Sequence, residues 1–192
     1  MHKHKRPEKL GFIRDGLVSA VHGAGGVANA LIESVAELLA TTIRGSGMVG
    51  RTLVESVSEL ARGVVYGARD VGCEIGLAGR GFLLGLLRGS RQTGEDCLET
   101  IRRAAGAFIK HAGAIGADLE KASVGLVEGA IDGARELGVD AFQAGSAAAQ
   151  AAVEAAYGIG SEAGEKTRKA VTGTIRGVKL VLKAPFSSTT KN

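Results

Sequence analysis

The sequence predicts an all-α protein: a long, continuous helix of hendecad repeats forming a right-handed or nearly straight coiled-coil assembly. Three observations carry that expectation. Cut every eleven residues from Gly16, the chain aligns by residue type without a gap to Val181. Its thirty glycines lie inside apolar stretches, in a chain that is 45% hydrophobic, so they do not form a flexible linker. Its two prolines, Pro7 and Pro185, stand outside the repeat, where they frame a helix without breaking it.

The chain divides into a basic N-terminal tail and helix start (1–15), a hendecad repeat rod (16–182) and a C-terminal tail (183–192). The tail gathers His2, Lys3, His4, Lys5, Arg6 and Lys9. Within the rod, the first and sixth positions of the eleven are mostly large and apolar, and they define a seam that includes Val49, Val54, Leu60, Val65, Phe82, Leu87, Ile109, Leu126, Ile131 and Phe142. Eleven residues in three turns is about 3.67 per turn, so such a seam drifts little along a helix. Together with the fifth, second and ninth positions it spans an arc of roughly 130°, wider than a two-stranded coil needs. Continuous from Glu8 to Ala184, the helix would be about 265 Å long. The alternative is a stack of short helical hairpins of 22 residues, with turns in stretches such as Gly89 to Gly94.

A longer period of 22 lies over the eleven. Small residues bracket the pentads GVVYG (Gly63, Gly67), GLLRG (Gly85, Gly89), GAIDG (Gly129, Gly133) and GTIRG (Gly173, Gly177). A helix-interior glycine costs about 1 kcal/mol relative to alanine, so a face so rich in glycine implies close approach of a neighbouring helix. In the intervening blocks an acid stands two residues after a glycine: Glu74, Asp96, Asp118, Asp140 and Glu162. Arginines recur at Arg69, Arg80, Arg91 and Arg102 on one edge of the apolar arc. The two series read as a charge register between parallel helices.

Enzyme chemistry has no visible basis. No His, Cys or carboxylate cluster has triad or metal-ligand spacing, and no phosphate loop or dinucleotide fingerprint is present, so no catalytic, cofactor-binding or metal site is assigned. Cys73 and Cys97 read as free thiols. Aromatic residues make up only 4% and are not interleaved with the basic ones, which makes nucleic acid an improbable partner. No run of about 20 strongly apolar residues without a charge appears, which argues against a conventional membrane span.

The repeat resembles hendecad coiled-coil proteins, a likeness that implies oligomerisation and no particular chemistry. Its period is also similar to the amphipathic repeats of exchangeable apolipoproteins, synucleins, perilipins and late-embryogenesis-abundant proteins, with Gly164 to Val171 (GEKTRKAV) locally similar to a synuclein-like unit. That likeness implies a helix lying on a lipid surface. The expected function is therefore structural: a cytoplasmic protein that self-assembles as a homo-oligomer into a rod, tube or filament. The alternative is a peripheral protein on an anionic lipid surface, with a membrane pore further behind.

Overall fold

The computed structural model describes residues 28–45, 51–90 and 97–182. It is mostly helical, as the composition and period require, with one short hairpin at its end. Seven helices appear among the described residues: α1 (Ala28–Gly45), α2 (Arg51–Asp70), α3 (Ile75–Ser90), α4 (Cys97–Ala114), α5 (Leu119–Leu137), α6 (Ala141–Ile159) and α7 (Ser161–Val171). Two strands follow, β1 (Gly173–Ile175) and β2 (Val178–Leu180), paired antiparallel with Gly173 opposite Leu180.

The expected continuous helix is thus divided, and the Gly-x-acid steps divide it. At Gly72, Gly116 and Gly138 the backbone turns left-handed (φ 67°, 68° and 72°). Each glycine ends a helix in a Schellman motif: Cys73, Ala117 and Val139 donate their N–H groups back to the carbonyls of Ala68, Ala112 and Ala134. One residue later the acid opens the next helix. The Asp118 carboxylate accepts the Lys121 N–H at 3.1 Å, and that of Asp140 accepts Phe142 and Gln143 N–H at 2.8 and 3.1 Å. Glu74 holds the equivalent place through its backbone, its carbonyl accepting the Ala78 N–H. Gly160 differs: its backbone is extended and it leads into α7 without a side-chain cap. The hendecad phase survives the turns because α3, α4, α5 and α6 start 22 residues apart, at Ile75, Cys97, Leu119 and Ala141, and 22 is two elevens. Unbroken phase therefore does not require unbroken helix.

The helices stack in two rows, α1–α3–α5–α7 and α2–α4–α6; α1 to α6 each pack mainly on the next but one in sequence, while α7 packs more on α6 than on α5. Members of a row run parallel: Gly81, Gly85 and Gly89 of α3 meet Val35, Ala36 and Ile43 of α1 in ascending order. The structural unit is therefore a 44-residue pair of helices, the design of a helical solenoid. The core lies between the rows. Phe82 of α3 and Phe108 of α4, both fully buried, meet there with ring centroids 5.3 Å apart. Of the expected seam, Leu60, Val65, Phe82, Leu87, Ile109, Leu126 and Ile131 are buried. Phe142 is not: it is 55% exposed, because it falls in the first turn of α6, just after the corner at Gly138. Val49 and the Val54 side chain lie outside what is described.

Candidate functional site

The glycine pentads sit where rows close. On α3, Gly81, Gly85 and Gly89 form a stripe at intervals of four facing α1; on α5, Gly125, Gly129 and Gly133 repeat it 44 residues later, facing α3. A Cβ on Gly85 would lie 2.6 Å from the Ala36 carbonyl oxygen. One on Gly125 or Gly129 would strike the Gly76 or Arg80 carbonyl, and one on Gly133 or Gly89 would meet the Leu87 or Ile43 side chain. These glycines let backbones approach within one chain, so dispersion and weak Cα–H···O contacts offset their poor helix propensity. Gly63 and Gly67 are buried in α2. Gly173 and Gly177 leave the helical scheme altogether, taking φ of 126° and 78° in the terminal hairpin.

A rail of ion pairs crosses the first row. Arg88 reaches Glu33 of α1 at 2.7 Å and grips Glu136 of α5 with two bonds of 2.7 Å. These carboxylates hold the Arg88 guanidinium charged, and Arg88 holds Glu136 below the usual carboxylate range. Arg80 joins Asp132 at 2.7 Å and Glu128 at 3.8 Å, while the second oxygen of Asp132 receives Arg176 of the hairpin at 2.9 Å. Among the described residues, Arg80 is the expected arginine that spans two helices. Arg69 pairs with its neighbour Asp70 and lies 4.9 Å from the Tyr66 ring centroid; Arg102 reaches Glu99 of its own helix at 4.0 Å. Asp118 and Asp140 serve as helix caps rather than as interhelical charges. Glu74 pairs with Lys121 across the row at 3.7 Å, and Glu162 pairs locally with Lys166 at 2.7 Å. Asp96 and Arg91 lie outside the described residues.

The carboxylates of the rail were not singled out from sequence, yet a signal existed. The fourth letter of the pentad reads Arg44, Arg88, Asp132, Arg176 at intervals of 44, with one acid set among arginines in consecutive members of one row. Only the 44-residue period brings Asp132 and Arg176 together.

The second row is more open. An open groove of about 720 Å³ runs over α4 between α2 and α6. Small residues, Gly106, Ala107, Ala151 and Ala155, line it along with the charged Arg102, Arg103, Lys110, Glu99 and Glu154. At one wall Ser58 of α2 shares a 3.2 Å hydrogen bond with His111 of α4. Burial, then the nearby Arg62, push the His111 pKa below its ordinary value. Elsewhere Cys73 and Cys97 stand outside any disulfide, and among the described residues no group of three His, Cys, Asp or Glu could hold a metal ion. No helix among them is long and apolar enough to cross a membrane.

Fold and surface together define a class, a short two-row helical solenoid with one closed row and one open one. Neither a protein-family profile nor a curated protein matches the chain.

Proposed function

We propose that this is a non-catalytic structural protein that self-associates as a homo-oligomer through its open α2–α4–α6 face. The glycine flank, the contact first expected between copies, is occupied by the neighbouring helix of the same chain. What supports the open face is the groove over α4. Its small residues permit close approach, and both signs of charge, Arg102, Arg103 and Lys110 beside Glu99 and Glu154, stand on one surface. A surface of mixed sign can complement itself across a two-fold axis, each copy's basic groups meeting the other's acids. Resemblance to hendecad coiled-coil proteins points the same way. Sedimentation velocity at tens of micromolar and low salt tests this: a dimer or larger species is expected, reverting to monomer on Arg103→Glu with Lys110→Glu. A wild-type chain sedimenting at 19.5 kDa under those conditions defeats the reading.

A second reading, docking on an anionic lipid surface, draws on Phe142 and Val139, which are 55% and 41% exposed at the α5–α6 corner. Flotation with phosphatidylserine vesicles, lost on Phe142→Ser, is its expected outcome. A wild-type chain that stays at the bottom of the gradient rejects it.

A further inference from the structure

One pentad occurs in two conformations. Residues 41–45, TTIRG, are the last turn of helix α1, and residues 173–177, GTIRG, differ from them at one position yet form β1 and the turn of a hairpin. The intervening members of that 44-residue series, GLLRG in α3 and GAIDG in α5, are helical too. Sequence periodicity runs through the hairpin as if it were helix. Ala170, Val171, Thr174, Ile175 and Val178 lie 44 residues after Leu126, Val127, Ala130, Ile131 and Ala134, all buried in α5. Gly173 and Gly177 likewise lie 44 residues after Gly129 and Gly133 of the glycine stripe.

The hairpin is held by a few identifiable contacts. Its two-residue turn has positive φ at both Arg176 (51°) and Gly177 (78°), the requirement of a type I′ turn. Arginine is an unusual choice there, since asparagine or glycine fits that backbone better. Two contacts offset the mismatch: the Arg176 guanidinium pairs with Asp132, and the Arg176 carbonyl accepts a 2.7 Å bond from Arg135. Leu180 is buried against α6, its side chain 3.6 Å from where a Gly145 Cβ would stand. Three-residue strands in an isolated pair supply little stability of their own.

We infer that residues 173–180 are a conformational latch: a repeat helix held as a hairpin, able to convert to helix and extend α7 along α5. In the hairpin form the segment ends the row and covers Gly145 and Ile131. In the helical form α7 grows from 11 residues toward the length of α5, places Gly173 and Gly177 in the stripe, and uncovers the Leu180 seat one turn from the exposed Phe142. The conversion needs no new partner residue, because the helical pattern is already present in the segment.

Two substitutions bias the latch in opposite directions. Gly177→Ala opposes the hairpin, whose φ of 78° alanine rarely adopts, yet suits a helix. At the equivalent Gly133 a methyl group would first meet the movable end of the Leu87 side chain, whereas at Gly89 it would also meet the Ile43 Cβ at 2.9 Å, so helix packing at residue 177 requires a small shift of the facing side chain. Arg176→Asn creates Asn-Gly, the preferred type I′ pair, and favours the hairpin. Backbone 13Cα shifts of the full chain read the outcome. Expected are helical shifts across 173–180 in Gly177→Ala and strand shifts in Arg176→Asn, with residues 97–170 unchanged in both. Strand shifts persisting in Gly177→Ala, or random-coil shifts there with the rest of the chain intact, overturn the proposal.

Discussion

Gly85 of α3 lies so close to Ala36 of α1 that a Cβ on Gly85 would stand 2.6 Å from the Ala36 carbonyl oxygen and 2.7 Å from its Cα. Both obstacles are backbone, which cannot rotate aside. Gly85→Leu therefore separates α1 from α3, and a loss of about 3 kcal/mol or more is expected in chemical denaturation despite the better helix propensity of leucine. Midpoint shifts at constant slope measure it. A neutral result would mean that the row is not closed by this contact.

Gly106 is the counter-case. It lies inside α4, yet a Cβ there meets nothing within 4 Å. Gly106→Ala is expected to raise stability by about 0.5–1 kcal/mol, through helix propensity alone. The opposite signs at Gly85 and Gly106 distinguish a packing glycine from a merely weak helical residue, a distinction that composition cannot make.

The turns make a third prediction. The Asp140 carboxylate accepts two backbone N–H groups at the start of α6, so Asp140→Ala is expected to cost about 1 kcal/mol. Gly138→Ala, which forces alanine to a φ of 72°, should cost about as much. Thermal or denaturant midpoints of the two variants report this. Unchanged midpoints for both would argue for an uninterrupted helix across residues 137–141.

Much of this fold is written in the period, and what is missing from the sequence reading has a physical reason. The all-α class, the buried Leu60, Val65, Phe82, Leu87, Ile109, Leu126 and Ile131, and the small face at Gly85, Gly89, Gly129 and Gly133 follow from spacing. Spacing could not separate a long rod from a folded stack, because turns such as 115–118 and 138–140, set within units of 22 residues, leave the apolar phase intact. The deciding feature was local: a glycine followed two residues later by an acid reads equally as a charge register or as a C-terminal glycine and an N-cap. Val71, Ile115 and Leu137, which precede those glycines, are poor caps, but the cap is the acid three residues on. The groove at Arg103, Lys110, His111 and Ser58 had no signal in one helix, since its walls come from residues about 50 apart.

Cys73 tests the burial of a turn. Burial, then the adjacent Glu74 carboxylate, push its thiol pKa up to about 11 from 9.0, so at pH 8 its thiolate fraction is far below that of an ordinary cysteine. Its reaction with a disulfide reagent should be more than tenfold slower in the native chain than in denaturant. Equal rates would mean that the corner before α3 is open.

Two groups shape the response to acid. Glu136, held by Arg88, has its pKa lowered on folding, so its contribution is present at neutral pH and is lost as pH falls below about 4.5, the ordinary glutamate value. His111 acts at higher pH. Its pKa is lowered by burial, then by Arg62, with Lys110 adding to the effect and Glu59 and the Ser58 contact opposing it. A histidine with a lowered native pKa binds its proton more readily in the unfolded chain, so stability declines as pH falls through 6.5 toward the native value. Denaturation midpoints should therefore show two steps of decline, one below pH 6.5 and one below pH 4.5. His111→Asn should remove the upper step, and Glu136→Gln should diminish the lower, part of which remains with Glu162 and Glu165, whose pKa values are lowered by Lys166 and by Arg168. If the upper step persists in His111→Asn, the charge balance at the α2–α4 wall is set by another group, and the Ser58–His111 contact does not govern it.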